Sequence, residues 1–110
     1  MKKSKLNDMQ GGWFVGDFEP SVFRTKEFEV GFKRFTQGEY VKPHVHKLTQ
    51  EINLMVRGRM IVNGRVMEPG DIFILEAGET VFPTYLTDCE IVIARQPSIP
   101  SDKTEVLDVT

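Results

Sequence analysis

The chain holds two histidines, His44 and His46, and they stand two residues apart. On an extended strand residues i and i+2 project to the same face, with Cα atoms about 7 Å apart. Both imidazoles can therefore converge on one ion, each through a nitrogen at roughly 2.0–2.1 Å. Glu51 follows at the head of a second alternating run, and a chain reversal around Lys47–Gln50 turns its carboxylate toward the same space. Two imidazoles and one carboxylate on one side of an ion leave several coordination positions open, which suits non-haem Fe(II) among other ions. An isolated His-x-His more often marks a polar strand in water, with a solvated glutamate nearby, so the wider spacing has to carry the argument.

Short strands must position these groups. Gly31, Gly38, Pro43, Gly58, Gly64, Pro69, Gly70, Gly78 and Pro83 break the chain into brief runs rich in Val, Ile and Phe, the signature of an all-β barrel or sandwich. Residues 27–34 alternate, placing Phe28, Val30 and Phe32 on one face. Ile52, Leu54 and Val56 alternate with Glu51, Asn53, Met55 and Arg57 in the same way. Met60-Ile61-Val62 runs into Asn63-Gly64, a pair suited to the positive φ of a tight hairpin, with Val66 and Met67 on the return strand. Residues 71–75 and 90–94 are apolar runs expected to be strands buried on both faces. Residues 1–11 are polar and read as a flexible segment, and 12–110 as one domain with a C-terminal extension from about 96. That extension carries Pro97 and Pro100 and ends in 105–109, a late edge strand.

Composition narrows the function. At 110 residues the chain is one domain's worth. A formal net charge of −2 leaves no basic excess for nucleic acid. Mean hydropathy is −0.25, and no apolar stretch approaches the roughly 20 residues that span a bilayer. The N-terminus has basic residues but no apolar segment behind them, so a cytoplasmic protein is the expectation. The single cysteine, Cys89, excludes an internal disulfide and a cysteine zinc cluster, and it reads as a buried strand residue.

The full spacing resembles a known family. Gly38, five residues, His44, one residue, His46, four residues, Glu51, six residues and Gly58 fill every position of the first cupin motif. Gly70, five residues, Glu76, one residue and Gly78 resemble the second motif, with Glu76 where that family usually has proline. The resemblance is plausible from residue 28 to 95 and implies a single-domain jelly-roll β-barrel of cupin type. It also implies that His44, His46 and Glu51 hold a divalent transition metal, with Fe, Mn, Ni or Zn all compatible. The pattern calls for a third histidine after Gly78, and this chain has Val81; Tyr85 stands where asparagine is common. The implied site therefore has three protein ligands. A buried glutamate without a counter-ion would be costly, so retention of all three argues for an ion.

Strand parity extends the site. If Glu51 points inward, so do Asn53, Met55 and Arg57, and His44 and His46 bring Tyr40 and Lys42 unless Pro43 breaks the run. Asn53 is the candidate for substrate binding, since its amide both donates and accepts. Tyr85 offers a phenol or is a core aromatic, and Val81 is an apolar wall. The opposite face of that strand, Ile52, Leu54 and Val56, needs cover, either from the segment around Trp13, Phe14 and Phe18 or from a second subunit. Small cupins commonly pair by their sheets, so the resemblance implies a homodimer. Three functions are compatible with these residues. One is a metal-dependent enzyme, such as a dioxygenase or isomerase, acting on a small polar molecule through an open His/His/Glu site. The second is a non-catalytic binding protein for a small molecule, including a carbohydrate. The third is a sugar-nucleotide isomerase or epimerase; the stretch from Pro97 to Lys103 is similar to the end of certain stand-alone cupins associated with surface-carbohydrate pathways. Both histidines belong to the metal motif, which disfavours the third.

Overall fold

The computed structural model describes residues 1–106. Its strands, in chain order, are β1 (Trp13–Val15), β2 (Glu29–Phe35), β3 (His44–Val45), β4 (Gln50–Arg57), β5 (Met60–Val62) and β6 (Arg65–Met67). They continue with β7 (Ile72–Leu75), β8 (Thr80–Val81), β9 (Pro83–Tyr85), β10 (Cys89–Gln96) and β11 (Thr104–Glu105). A single 3₁₀ turn covers Leu6–Asp8. No helix among the described residues is long and apolar enough to cross a membrane.

Five strands form the main sheet in the order β1-β2-β10-β4-β7; β11-β3-β8 and β6-β5-β9 form two smaller sheets. The three sheets wrap one interior without closing into a single hydrogen-bonded barrel, the jelly-roll arrangement. The interior is built from alternate residues. On β4, Glu51, Asn53 and Met55 are buried while Ile52, Leu54 and Val56 are exposed. On β10, Cys89, Ile91 and Ile93 are buried. With Met60, Val62, Leu75, Val81 and Tyr85 they form the apolar core. Fully burying one such side chain contributes about 1.5–3 kcal/mol.

The Asn63-Gly64 turn forms as expected, with φ of 50° and 79° joining β5 to β6. Phe28, Val30 and Phe32 share a face of β2 and its approach, as expected, and it is the outer one. Cross-strand pairing of β10 with β2 sets Arg95 opposite Glu29, Ile93 opposite Gly31, Ile91 opposite Lys33 and Cys89 opposite Phe35. Directly opposed residues lie on one side of a sheet, so Glu29, Gly31, Lys33 and Phe35 face the interior. Gly31 leaves room there for Trp13: a Cβ at this position would lie 2.7 Å from the indole ring. Neither run expected to be buried on both faces is so, because no described strand covers the outer side of the main sheet: on β7 Ile72 and Ile74 are exposed, and on β10 Glu90, Val92 and Ala94 are only partly buried. Arg57 is exposed as well, since β4 leaves the interior after Met55, where an extra residue in β4, Val56, breaks the register with β10. Tyr40 and Lys42 are also exposed, because β3 begins only at His44 and parity does not extend back across Pro43. An edge strand forms at Thr104–Glu105 as β11, paired with β3; of the expected 105–109 only Glu105 belongs to it, and Val106 lies outside it. Residues 107–109 of the expected strand lie outside the described residues.

Candidate functional site

β3 and β4 bring His44, His46 and Glu51 to one end of the interior, and all three are buried. The two rings meet edge to face, centroids 5.2 Å apart. Nδ1 of His44 lies 3.0 Å from the Lys42 carbonyl oxygen, and Nδ1 of His46 bonds to the Asp102 carbonyl oxygen. A carbonyl only accepts, which assigns the proton of each neutral ring to Nδ1 and the lone pair to Nε2. Metal-binding histidines are commonly oriented by such a bond. Nε2 of His46 is buried without a hydrogen-bond partner and stands 3.4 Å from Oε2 of Glu51. Burial, reinforced by Lys103 and His46 and opposed by the Lys42 carbonyl, holds the His44 pKa below its ordinary value. His44 is therefore neutral near pH 7.

Glu51 is not without a counter-ion. Arg95 of β10 lies directly across from it, and Nε of Arg95 donates to Oε2 at 2.7 Å. The same guanidinium reaches Glu29 at 3.5 Å and stacks 4.6 Å from the Trp13 ring centre. Glu29 also accepts a 3.0 Å bond from the Ser98 hydroxyl. This corrects the expectation of an unpaired buried glutamate, and with it one argument for an ion. Among the described residues, no three His, Cys, Asp or Glu side chains stand together as a ready-made metal cage. The donor chemistry nevertheless fits a divalent transition ion: two imidazoles with inward lone pairs, one of them unpartnered, beside a carboxylate. The contacts of Arg95 and His46 both fall on Oε2, and the second carboxylate oxygen takes part in neither.

A cavity of about 420 Å³ opens over His44 and Glu51 but not His46, within the usual range for small-molecule sites. His44, Glu51, Asn53, Val81 and Tyr85 line it, along with Trp13, Lys33, Arg95 and Lys103. Asn53 is 3% exposed, and its Nδ2 has no partner. Val81 pairs with His44 across β3 and β8 and is 5% exposed. Tyr85 serves both the core and the cavity wall; it stacks on Phe35 with ring centres 4.3 Å apart. Burial, with smaller effects of Glu39, Cys89 and Glu51, pushes its phenol above the ordinary tyrosine range, so it stays protonated. Cys89 is buried, and burial raises its thiol pKa, as suits an inert strand residue.

Sequence reasoning did not find Arg95, Glu29, Lys33, Asp102 or Lys103. Arg95 was within reach, since it continues the inward series of Cys89, Ile91 and Ile93. Glu29 and Lys33 were hidden because the apolar residues beside them lie on the outside. Asp102 acts across 55 positions of chain, on Lys47, where no local pattern reports it.

No protein-family model matches the sequence, and no curated protein matches it. Among solved structures, a conserved protein with a double-stranded β-helix domain from Klebsiella pneumoniae superposes with a TM-score of 0.67 at 20% identity, over 79% of this chain and 76% of that one. An RmlC-like cupin from Shewanella frigidimarina gives 0.62 at 19% identity, over 69% and 71%. The DMSP lyase DddQ from Ruegeria pomeroyi gives 0.69 at 16% identity; 90% of this chain matches 54% of the lyase, so it spans about half that enzyme's length. The chain thus has the cupin fold, the double-stranded β-helix. Identities this low carry the fold and nothing finer.

Proposed function

We propose that this protein binds a small polar molecule in the cavity lined by His44 and Glu51 and acts on it with a divalent transition metal held by those two side chains and His46. The observation that supports this reading is the buried, unpartnered Nε2 of His46, fixed by the Asp102 carbonyl and directed at Glu51. A buried polar atom left unpaired costs free energy, about 1–3 kcal/mol, and an electrophile removes that cost. When bound, the ion supplies Lewis acidity toward a substrate carbonyl or enolate, with Fe, Mn, Ni or Zn all compatible. The chain's own residues do the rest. The Lys42 and Asp102 carbonyls keep both Nδ1 protons outward, and Arg95 holds the Glu51 carboxylate in place. Asn53 offers an unpaired donor to the substrate, Tyr85 offers a phenol that stays protonated, and Val81 walls off one side. That a DMSP lyase shares the fold makes an enzyme a reasonable class without specifying the substrate.

The test is elemental analysis of protein purified without chelator. Wild type should retain divalent metal after dialysis, and His44→Ala and His46→Ala should not. Equal trace metal in all three would contradict the reading. In that event the 2.7 Å Arg95–Glu51 pair favours a second one, a metal-free binding protein in which the guanidinium is the resident cation.

A further inference from the structure

We infer that the molecule this cavity takes is a small organic carboxylate. The inference rests on the proposal that the cavity is the functional site, and it does not require the metal. The chain is acidic overall, yet three cationic side chains, Lys33, Arg95 and Lys103, line this cavity against two carboxylates, Glu39 and Glu51. Arg95 is taken up by Glu51 and Glu29. Neither lysine has a carboxylate within ion-pair distance among the described residues; the Lys33 ammonium donates to the Gly11 carbonyl at 2.7 Å.

Lys33 also sits badly with its surroundings. Lys33 is half-buried on the inner face of β2; desolvation, Arg95 and Lys103 together hold its pKa below the ordinary value, opposed by Glu39. Like charges gathered at the mouth of a partly apolar cavity repel one another and focus a positive potential into it. An anion relieves that repulsion.

Asn53 supplies independent support. Its Nδ2 is buried, faces the same cavity and has no acceptor. The Asn53 amide and the two lysines are thus donors or cations without an acidic partner, and a ligand with acceptor oxygens and negative charge complements all three; the unpartnered acceptor Nε2 of His46 is not served by it. Phe35, Phe73 and Leu75 give the cavity an apolar wall, which suits a carboxylate carried on a carbon skeleton. Phosphate is served less well: among the described residues no helix N-terminus lines the cavity, and its arginine is already paired.

Nuclear magnetic resonance of the Asn53 side-chain amide tests this with matched probes: benzoate against benzamide, succinate against succinamide, and inorganic phosphate. The carboxylates should shift the Asn53 signals while the amides and phosphate do not. Lys33→Gln and Lys103→Gln should each weaken the response about tenfold, and Lys103→Gln should leave the apo protein at least as stable, because it removes a repulsion without removing the Lys33–Gly11 bond. Silence toward both carboxylates, an equal response to the neutral amides, a stronger response to phosphate, or unchanged affinity in both lysine variants would overturn the inference. The titrations are repeated after EDTA. A carboxylate response that survives EDTA supports the inference even if the histidine variants show that no metal site exists. A carboxylate response that disappears with EDTA overturns the claim that the lysines and Asn53 suffice.

Discussion

Val81 stands directly across the ladder from His44, buried, with its side chain at the cavity. Opposed residues on adjacent strands hold their Cβ atoms about 4.5–5.5 Å apart. A histidine at position 81 would therefore place a third imidazole beside the first. If the proposed metal site is correct, Val81→His should tighten metal binding about tenfold, or about 1.4 kcal/mol. It should also lower any activity that uses the coordination position it fills. Val81→Ala adds space without a donor and should do neither. Competition against a chelator measures the affinities, and an unchanged value for the histidine variant would contradict the prediction. At this scale much was legible, because strand parity is local: it put Asn53 at the cavity and failed at Arg57, Tyr40 and Lys42, where strands begin or end, while Val81 and Tyr85 came from the resemblance to the second motif. The role of Arg95 was not legible. It depends on β10 lying between β2 and β4, which sets one guanidinium between two glutamates, and strand order is not a property of any local stretch.

The segment after β10 works as a clasp on the site. The Asp102 carboxylate accepts from the backbone N–H groups of Lys47, Leu48 and Thr49 and from the Thr49 hydroxyl, closing the turn between β3 and β4. Its carbonyl fixes His46, and upstream Ser98 joins Glu29 to the Asp17 backbone. Burial alone would raise the Asp102 carboxyl. The bonds from Leu48, Thr49 and Lys47 outweigh it and leave the group below its ordinary 3.8. A carboxyl depressed on folding contributes stability above its unfolded value and loses it as pH falls through the lower folded value. Asp102→Asn should thus cost about 1–2 kcal/mol near pH 7. Against wild type the deficit should shrink once pH falls below about 3.8. Urea unfolding at several pH values reads this out, and a deficit independent of pH would show that the carboxylate charge is not what closes the turn. The strands themselves were readable from alternation, and Asn63-Gly64 from its turn chemistry. The clasp was not, because a Pro-rich tail reveals nothing of the loop it returns to.

The main sheet has an outer side that the fold leaves bare. Ile52, Leu54 and Val56 on β4 are 37%, 37% and 45% exposed, and Ile72 and Ile74 on β7 are 69% and 49% exposed. Of the two expected covers, the N-terminal aromatic segment is not the one in place. Trp13 turns inward over Gly31 and Arg95, and the aliphatic residues remain exposed. Five large aliphatic side chains on two adjacent strands form a contiguous patch of a kind uncommon on monomers. β7 is also the edge of its sheet, with backbone groups free to pair. A second copy of the chain is the cover we expect, and it would leave the cavity undisturbed because that opens on the opposite side of β4. Light scattering at micromolar concentration should return twice the 12.6 kDa of one chain. Leu54→Lys with Ile72→Lys should return the single mass while leaving carboxylate binding intact, since neither residue lines the cavity. A wild-type mass of one chain would mean that the face stays in water. Loss of ligand binding in the variant would mean that the two sides of the sheet are coupled through β4.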